Sequence, residues 1–412
     1  SCGKGLAMEP VTGSSQLSKL INRSLILHQI KQHKAISRTE LARVTGLTSG
    51  TVSNITGELL REGVIVTQGT TDSTGGRPQV LLAINTKSHH VLGVNIGGTK
   101  IIAVRTNLNG DILQRIDERF DARLPVDQQL QLIIDTIEAA IPDDKVRKKI
   151  IGVGVGIPGL LDSASGISKF SPNLGWLELP IKKILQDKLG LPVFIDNSVR
   201  LGALGEKWYG AGNLKKDVIA LYVGTGVGAG IIINGDIFYG SQEAAGEIGH
   251  IVVADDGDLC GCGKRGCLEA MASGPAIVRH ARRLINSGRE SSLRELIDRG
   301  EELTGELVHQ AAQAGDPVGV EVMERVGYYI GVGMSILINL FNPELLVFNG
   351  GVSNSWDVTG PVILKTVESR AMPGQAQAAR IVQSRLGDAA GPLGASSLII
   401  EKFFSNPSVL DL

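Results

Sequence analysis

The stretch GSQEAAGEIGHIVVADDGDLCGCGKRGCLE, residues 240–269, decides the fold of this chain. It holds three of the four cysteines of the chain, Cys260, Cys262 and Cys267, and His250 precedes them. Three thiolates and one imidazole form a closed tetrahedral ligand set, which is typical of structural zinc sites, whereas a catalytic zinc keeps one position open for water. The spacing therefore predicts a structural Zn²⁺ that orders a glycine-rich loop. The competing interpretation is three unconnected cysteines beside a buried histidine.

Two carboxylates bracket this predicted metal site. Glu247 lies three residues before His250, and Glu269 lies two residues after the last cysteine. If the loop folds round the metal, both carboxylates can point into one cleft. Carboxylates and an imidazole can hydrogen-bond to the vicinal hydroxyl groups of a sugar. The stretch therefore predicts a sugar site that includes Glu247, His250 and Glu269.

The motif AGEIGH at 245–250, followed by CGCGKRGCLE at 260–269, resembles the ROK family, which comprises repressors, unassigned reading frames and sugar kinases. Further elements of the family follow in order from Ser37 to the C-terminus. The resemblance implies a body of actin/hexokinase-like (ribonuclease H-like) α/β architecture. It also implies that the loop 172–176 contacts the sugar, with Asn173 bonding a hydroxyl group and Trp176 packing beneath. The competing interpretation of this segment is a plain turn.

Length and composition set the limits for these interpretations. A chain of 412 residues predicts two or three domains, and a hydrophobic content of 42% is ample for their cores. No apolar run is long enough to span a membrane, so no membrane insertion is expected. The opening segment SCGKGLAMEP has no apolar centre and is interpreted as a disordered tail or tag remnant over 1–15, with Cys2 unpaired. Because no disulfide framework is implied, we expect a cytoplasmic protein.

Charge divides the chain into a basic head and an acidic body. Residues 1–87 hold ten Lys/Arg and five Asp/Glu, a net charge of +5, whereas the whole chain has a net charge of −1. This asymmetry favours a polyanionic partner for the head alone, although a solvated charged surface would show the same charge.

The predicted head, residues 16–86, has the pattern of a winged helix-turn-helix. A helical stripe covers 16–33, Ser37 and Glu40 form a capping box for a second helix, Gly46 makes a turn, and a third helix begins at Thr48. The third helix has small polar residues on one face, which suits a DNA groove better than bulky charges would. Two predicted strands, 64–67 and 79–84, enclose a wing that carries an Arg suited to a minor groove. The predicted DNA contacts are Arg38, Ser49, Thr51, Ser53, Asn54 and Arg77.

The predicted body contains an internal repeat. A strand, a glycine turn, a strand and an Asn-Gly turn occur over 91–112 and again over 218–237, where the glycine turn is placed at 224–230. Asn-Gly is a strong hairpin signal. The repeat predicts a duplicated α/β fold with a cleft between its halves. We place the first subdomain at 87–210 and the second, with the zinc loop and dimerising helices, at 211–412.

The residue types at two positions distinguish the kinases of this family from proteins that only bind the sugar. Its kinases carry Asp in a D-x-G-G-T pattern, where this chain has Asn95 in NIGGT, and their catalytic base is the Asp of an Asn-Asp pair eight residues before a Glu. Counting back from Glu206 gives Asn197-Ser198, and the two-residue period of a strand turns the adjacent Asp196 away. Serine cannot take the proton of a sugar hydroxyl at neutral pH, and a positioned general base contributes roughly 10²–10⁴-fold. The resemblance therefore predicts no catalytic residues.

We expect a sensor whose sugar set is Asn173, Asn197, Ser198, Glu247, His250 and Glu269. A homodimer or homotetramer would bind an inverted-repeat, double-stranded DNA operator and release it when a monosaccharide closes the cleft. The alternatives are release through a sugar-transporter subunit, a sugar-dependent activator, and a sugar kinase with an accessory DNA-binding head. The sequence does not identify the sugar. Ser198 would suit a pentose such as xylose, or an aldohexose such as glucose.

Overall fold

The computed structural model of the chain describes residues 15–71, 78–213 and 215–410. The predicted tail, apart from Ser15, and with it Cys2, lies outside these residues, as does Arg77 of the wing. Among the helices of the described ranges, none has the length and apolar character needed to cross a membrane.

The head is a winged helix-turn-helix, as predicted. Its elements are α1 (Ser15–His33), β1 (Ile36–Ser37), α2 (Arg38–Thr45), α3 (Ser49–Arg61), β2 (Ile65–Thr70) and β3 (Val80–Ile84), with the strands in the order β1-β3-β2. The Ser37 side chain caps α2 by accepting from the Glu40 amide at 3.2 Å, and Gly46 ends α2 in the left-handed region. The Glu40 carboxylate pairs with Arg43, so the predicted capping box is only half formed. The Thr48 side chain caps α3.

The first half of the body contains a five-stranded sheet and a small three-stranded sheet. Its elements are β4 (His90–Ile96), β5 (Lys100–Asn107), β6 (Ile112–Arg119), α4 (Val126–Ala139), α5 (Asp144–Arg147), β7 (Ile150–Ile157), β8 (Leu160–Asp162), β9 (Ile167–Ser171), β10 (Trp176–Leu179), α6 (Ile181–Leu189), β11 (Val193–Asn197) and α7 (Ser198–Tyr209).

The second half of the body contains the other five-stranded sheet and most of the helices. Its segment of the chain comprises β12 (Val218–Val223), β13 (Val227–Ile233), β14 (Asp236–Ile237), α8 (Leu268–Ala272), α9 (Gly274–Asn286), α10 (Leu293–Asp298), α11 (Gly305–Gln313), α12 (Pro317–Phe341), β15 (Leu345–Asn349), α13 (Trp356–Arg370), α14 (Pro373–Ala378), β16 (Arg380–Gln383) and α15 (Ala390–Ser405).

The two large sheets have the same topology, which confirms the predicted duplication. Their orders are β11-β7-β4-β5-β6 and β14-β13-β12-β15-β16. In each sheet the first strand of the repeat pairs antiparallel with the second and parallel with a later strand. A Cβ added at Gly98, in the first glycine turn, would lie 3.7 Å from the Thr225 hydroxyl in the second. The two turns therefore face each other across one cleft.

The predicted glycine turn at 224–230 is too long. The turn ends at Gly226, and both Gly228 and Gly230 lie within β13. A Cβ at Gly230 would fall 2.5 Å from the Cβ of Ala203 in α7, so this glycine serves close helix–strand packing and not a turn.

The C-terminal helix α15 packs on the first sheet, although it lies in the chain segment predicted as the second subdomain. A Cβ at Gly93 of β4 would lie 2.0 Å from Pro392 O, and one at Gly154 of β7 would lie 2.0 Å from Ala395 O. The far end of α15 joins the core of the head, where Phe404 belongs to the same buried cluster as Ile26. The predicted boundary at 210/211 therefore follows the repeat along the chain but does not separate the packed units.

Candidate functional site

The four predicted metal ligands converge in the structure. The ligand atoms of His250, Cys260, Cys262 and Cys267 all lie within 4.8 Å of one another, with Cys262 Sγ 3.6 Å from Cys267 Sγ and Cys260 Sγ 3.6 Å from His250 Nδ1. Zinc–sulfur bonds of about 2.3 Å would place tetrahedral ligands about 3.8 Å apart. The set therefore fits a tetrahedral cation of the size of zinc.

Electrostatics at this cluster also favour a cation. Burial, together with the neighbouring thiols, raises the pKa of Cys267 to about 12. Three close sulfur atoms are stabilised as thiolates only by positive charge, which a divalent ion at their centre would supply. Asp258 holds the loop in place through its ion pair with Arg283 and thereby ties it to α9.

The two ring nitrogens of His250 have different neighbours, so this residue can belong both to the predicted metal site and to the predicted sugar site. Its Nδ1 points to Cys260, whereas its Nε2 lies 3.9 Å from a carboxylate oxygen of Glu247. A metal bound at Nδ1 would fix the ring and leave the Nε2 proton for a cleft ligand. Partial burial raises the pKa of Glu247 above its ordinary value, and the like charge of Glu269 adds to this effect.

Glu269 holds the second glycine turn. One of its carboxylate oxygens accepts a hydrogen bond from the Val227 amide at 3.1 Å, and the other faces Cys260 Sγ at 3.7 Å. Glu269 lies in the first turn of α8, two residues after the last cysteine, so the metal loop positions it. This carboxylate thus connects the metal cluster to the turn that borders the cleft.

The predicted sugar loop 172–176 leaves Asn173 exposed between β9 and β10. Trp176 is buried beneath it, and its indole N–H donates to Gln129 at 2.8 Å. Gln129 also donates to the carbonyl oxygen atoms of Leu124 and Leu174. Sequence reasoning missed Gln129, because a glutamine within a helical stripe gives no sign of a partner 45 residues away.

Asn197 and Ser198 lie where β11 ends and α7 begins. The Asn197 side chain caps α7 by accepting from the amides of Val199 and Arg200, and its Nδ2 donates to Gly159 O at 3.0 Å. These three bonds position Asn197 at the edge of the cleft. The predicted contact of Asn197 with sugar would therefore use the same side-chain amide group that caps the first turn of α7.

Asn95 and Ser198, the two positions where acids are expected in the family's kinases, lie close together. A Cβ at Gly156 would be 2.8 Å from Asn95 Oδ1 and 3.3 Å from the Cα of Ser198. Asn95 Oδ1 is buried with no hydrogen-bond partner among the described residues. The structure thus brings Asn95 and Ser198 to either side of Gly156.

A buried ionic network that the sequence did not reveal lies beside them. Asp196 is 1% exposed, pairs with Arg200 at 2.7 Å and accepts from the Tyr239 hydroxyl at 3.0 Å. Arg200 donates to Glu243 O, and the Glu243 carboxylate accepts from both the amide and the hydroxyl of Ser163. Since Ser163 belongs to the first half and Glu243 to the second, this network bridges the cleft.

Of the candidate DNA contacts, those that the structure describes lie on α2 and α3. Ser49, Ser53 and Asn54 are exposed, and Thr51 is half-buried, with its hydroxyl 2.9 Å from the Thr48 hydroxyl. Arg38 donates through Nε to the Thr56 hydroxyl of α3 at 2.9 Å. The exposed face is therefore small and polar, as predicted, while Arg38 is fixed against the helix it adjoins.

Comparison with known proteins covers both parts of the chain. The ROK family model matches residues 91–402, and the model of a winged helix-turn-helix DNA-binding domain matches residues 20–66. The xylose repressor of Caldicellulosiruptor bescii is 35% identical over 398 residues, 96% of this chain and 99% of that protein.

Two solved structures are similar to this chain in fold, the first over nearly its whole length and the second over three quarters of it. The crystal structure of a ROK family transcriptional regulator, a homologue of the E. coli MLC protein, covers 96% of this chain and 98% of its own with a TM-score of 0.82 and 28% identity. A ROK family glucokinase from Streptomyces griseus, in complex with glucose and AMPPNP, covers 75% of this chain and 98% of its own with a TM-score of 0.65 and 34% identity.

Proposed function

Because the chain belongs to the ROK family, we propose that it is a sugar-responsive transcriptional repressor whose kinase-like body senses a monosaccharide. One observation carries the proposal. A winged head is joined to a body in which Asn95 and Ser198 occupy, side by side, the positions where the family's kinases are expected to carry acids. Acting on DNA, such a protein would work in the prokaryotic cytoplasm, in contact with the nucleoid.

The proposed effector site comprises Asn173, Asn197, Ser198, Glu247, His250 and Glu269. The cation that we propose for the cluster of His250 and the three cysteines is a structural Zn²⁺. It would keep the thiols ionised and hold the His250 ring so that Nε2 faces Glu247. D-xylose is the first effector to test, because the C. bescii relative is named a xylose repressor and Ser198 is shorter than an acid.

The proposed DNA site is an inverted repeat read by two heads of a homodimer or of one half of a homotetramer. The exposed face of α3, with Asn54, would read base edges, and Arg38 and Arg77 would contact the phosphate backbone or the minor groove. Sugar binding would close the cleft and weaken DNA binding, and by linkage DNA would weaken sugar binding by the same factor. Release by a transporter subunit and sugar-dependent activation are the competing schemes.

The effector scheme is tested with Glu247→Ala, with Glu118→Ala on the exposed edge strand β6 as the matched control. Melting curves with D-xylose, D-glucose and N-acetylglucosamine identify the effector, since a ligand at about 100 times its Kd adds about 2.7 kcal/mol of stability. A mobility shift on a duplex selected from a random pool then compares the variants. We expect Glu247→Ala to bind the duplex normally and to resist release by sugar. If sugar releases it as readily as the wild type, Glu247 is not part of the sensor.

The alternative function, a sugar kinase with an accessory head, is tested with ATP. A general base and a metal-anchoring acid are both replaced, so we expect no phosphorylation of glucose, xylose, mannose or N-acetylglucosamine above background. Turnover of about 1 s⁻¹ or more, at the low end of ordinary enzyme rates, would establish the kinase instead.

A further inference from the structure

The C-terminal end of α7, Lys207-Trp208-Tyr209, touches the head. The Trp208 ring stacks on His28 of α1 with centroids 5.8 Å apart, and Lys31 Nζ of α1 lies 4.6 Å above the same ring. Lys31 also donates to the Tyr209 hydroxyl at 3.2 Å. The side chains of His28 and Lys31 therefore rest on this segment, which we call the relay segment.

The relay segment also touches the Asn-Gly turns of both repeats. A Cβ at Gly110, in the turn of the first repeat, would overlap the Tyr209 ring at 2.2 Å. Lys207 Nζ donates to Gly235 O, in the turn of the second repeat, and lies 5.4 Å from the Trp208 ring. The duplicated turns thus meet at one segment, with Gly110 on one side and Gly235 on the other.

The rest of α7 is held too tightly to bend. A Cβ at Gly394 of α15 would lie 1.6 Å from Leu201 O, and one at Gly205 of α7 would lie 2.1 Å from Ala390 O. Backbones in such contact leave no space for sliding, so α7 and α15 form one rigid unit on the first sheet. His28 Nε2 also bonds to Glu401 of α15 at 2.8 Å, so the head is docked on this unit.

We propose that the relay segment carries the state of the cleft to the DNA-binding head, with Lys207 as its positioning residue. This inference rests on the proposed function. When sugar draws the second half towards the first, the turn at Gly235 moves relative to the rigid unit, and Lys207 moves with it. The Lys207 ammonium group then moves away from the Trp208 ring, and the stacking of Trp208 on His28 weakens. As a result the head becomes more mobile relative to the body, and two heads bind the two half-sites of the DNA less tightly.

The test compares Lys207→Met, Lys207→Arg and Lys182→Met. Methionine keeps the length of the side chain but removes the cation, and arginine keeps a cation that can bond to Gly235 O. Lys182 is the matched control because it is a half-buried lysine whose Nζ lies 5.0 Å over the ring of Phe194, within the first half. DNA affinity is measured by fluorescence anisotropy on the selected duplex, with and without saturating D-xylose, D-glucose or N-acetylglucosamine. Calorimetry without DNA gives the sugar affinity.

We expect sugar to weaken wild-type DNA binding by a factor within the usual range for coupled sites, about 5- to 150-fold. Lys207→Met should reduce this factor to below about 2 and leave the sugar affinity within about twofold, while Lys207→Arg and Lys182→Met should keep the wild-type factor. If Lys207→Met keeps the full factor, the relay is overturned and the proposed function stands. If none of the three sugars changes wild-type DNA affinity, the proposed function fails and the relay fails with it.

Discussion

Replacement of Cys262 by serine tests whether the proposed zinc supports the proposed sugar site. Cys262 is exposed, whereas Cys260 and Cys267 are 4% and 0% exposed, so Cys262→Ser removes a ligand without burying a hydroxyl group. Structural zinc contributes about 10–16 kcal/mol in zinc-finger peptides near neutral pH. Divided over four ligands, one thiolate accounts for about 3 kcal/mol, which corresponds to a roughly 100-fold loss of zinc affinity.

Elemental analysis and chelator competition measure this loss, and calorimetry measures sugar binding. We expect one zinc per wild-type chain. Since the zinc-binding free energy is shared by four ligands, we expect a roughly 100-fold lower zinc affinity for Cys262→Ser. We also expect loss of sugar binding, because the metal loop positions His250 and Glu269. Asp256→Ala, in the same loop, is the control, because the Asp256 side chain is exposed. Well-folded Cys262→Ser protein that binds sugar without zinc would refute the reasoning.

Three further predictions concern the sugar loop, the recognition helix and the head interface. Gln129→Leu leaves the buried indole of Trp176 unpaired and should cost about 1–3 kcal/mol in urea unfolding; an unchanged midpoint would contradict this. Asn54→Ala should cost ~1–3 kcal/mol on the selected duplex and little on random DNA, and equal losses on both would exclude a base contact. Burial opposes protonation of His28, but its hydrogen bond to Glu401 raises its pKa above 6.5. The melting-temperature difference between wild type and His28→Ala should therefore be full below pH 6.5 and shrink as pH rises through the raised pKa, and a constant difference would contradict the assignment.

The elements that sequence reasoning predicted well are those with local signals. The predicted helix at 16–33 is observed as Ser15–His33, and the capping hydroxyl of Ser37 and the left-handed Gly46 lie at the predicted ends of α2. Asn-Gly turns identified the duplication, because a hairpin turn fixes the pairing of its two strands regardless of the rest of the fold. Packing partners have no such local signal. The contact of α15 with the first sheet joins Gly93 to Pro392, and nothing near either residue encodes it.

In the candidate site, too, the contacts between residues close in sequence were predictable and those between distant residues were not. The cysteine spacing and the preceding histidine lie within 18 residues, and they converge as predicted. The network that bridges the cleft could not be foreseen, because Ser163 and Glu243 are 80 residues apart and neither belongs to a motif. The direction of each His250 nitrogen also follows from the fold of the loop and not from its composition.

In the proposed sensor, the geometry at the end of β11 would allow the body to do without a catalytic acid and still keep a binding site. Asp196 is adjacent to the position where the resemblance places the kinase base, but Arg200 and Tyr239 bond to its carboxylate in the interior, so we do not expect it to act as a base. Ser198 is the first residue of α7, where its side chain contributes no cap, so replacing an acid there costs the helix little. Asn197 is different, because its side chain caps the helix that runs from the cleft to the head. Selection for a sensor would therefore be free to discard the acid at 198 while it holds Asn197 in place.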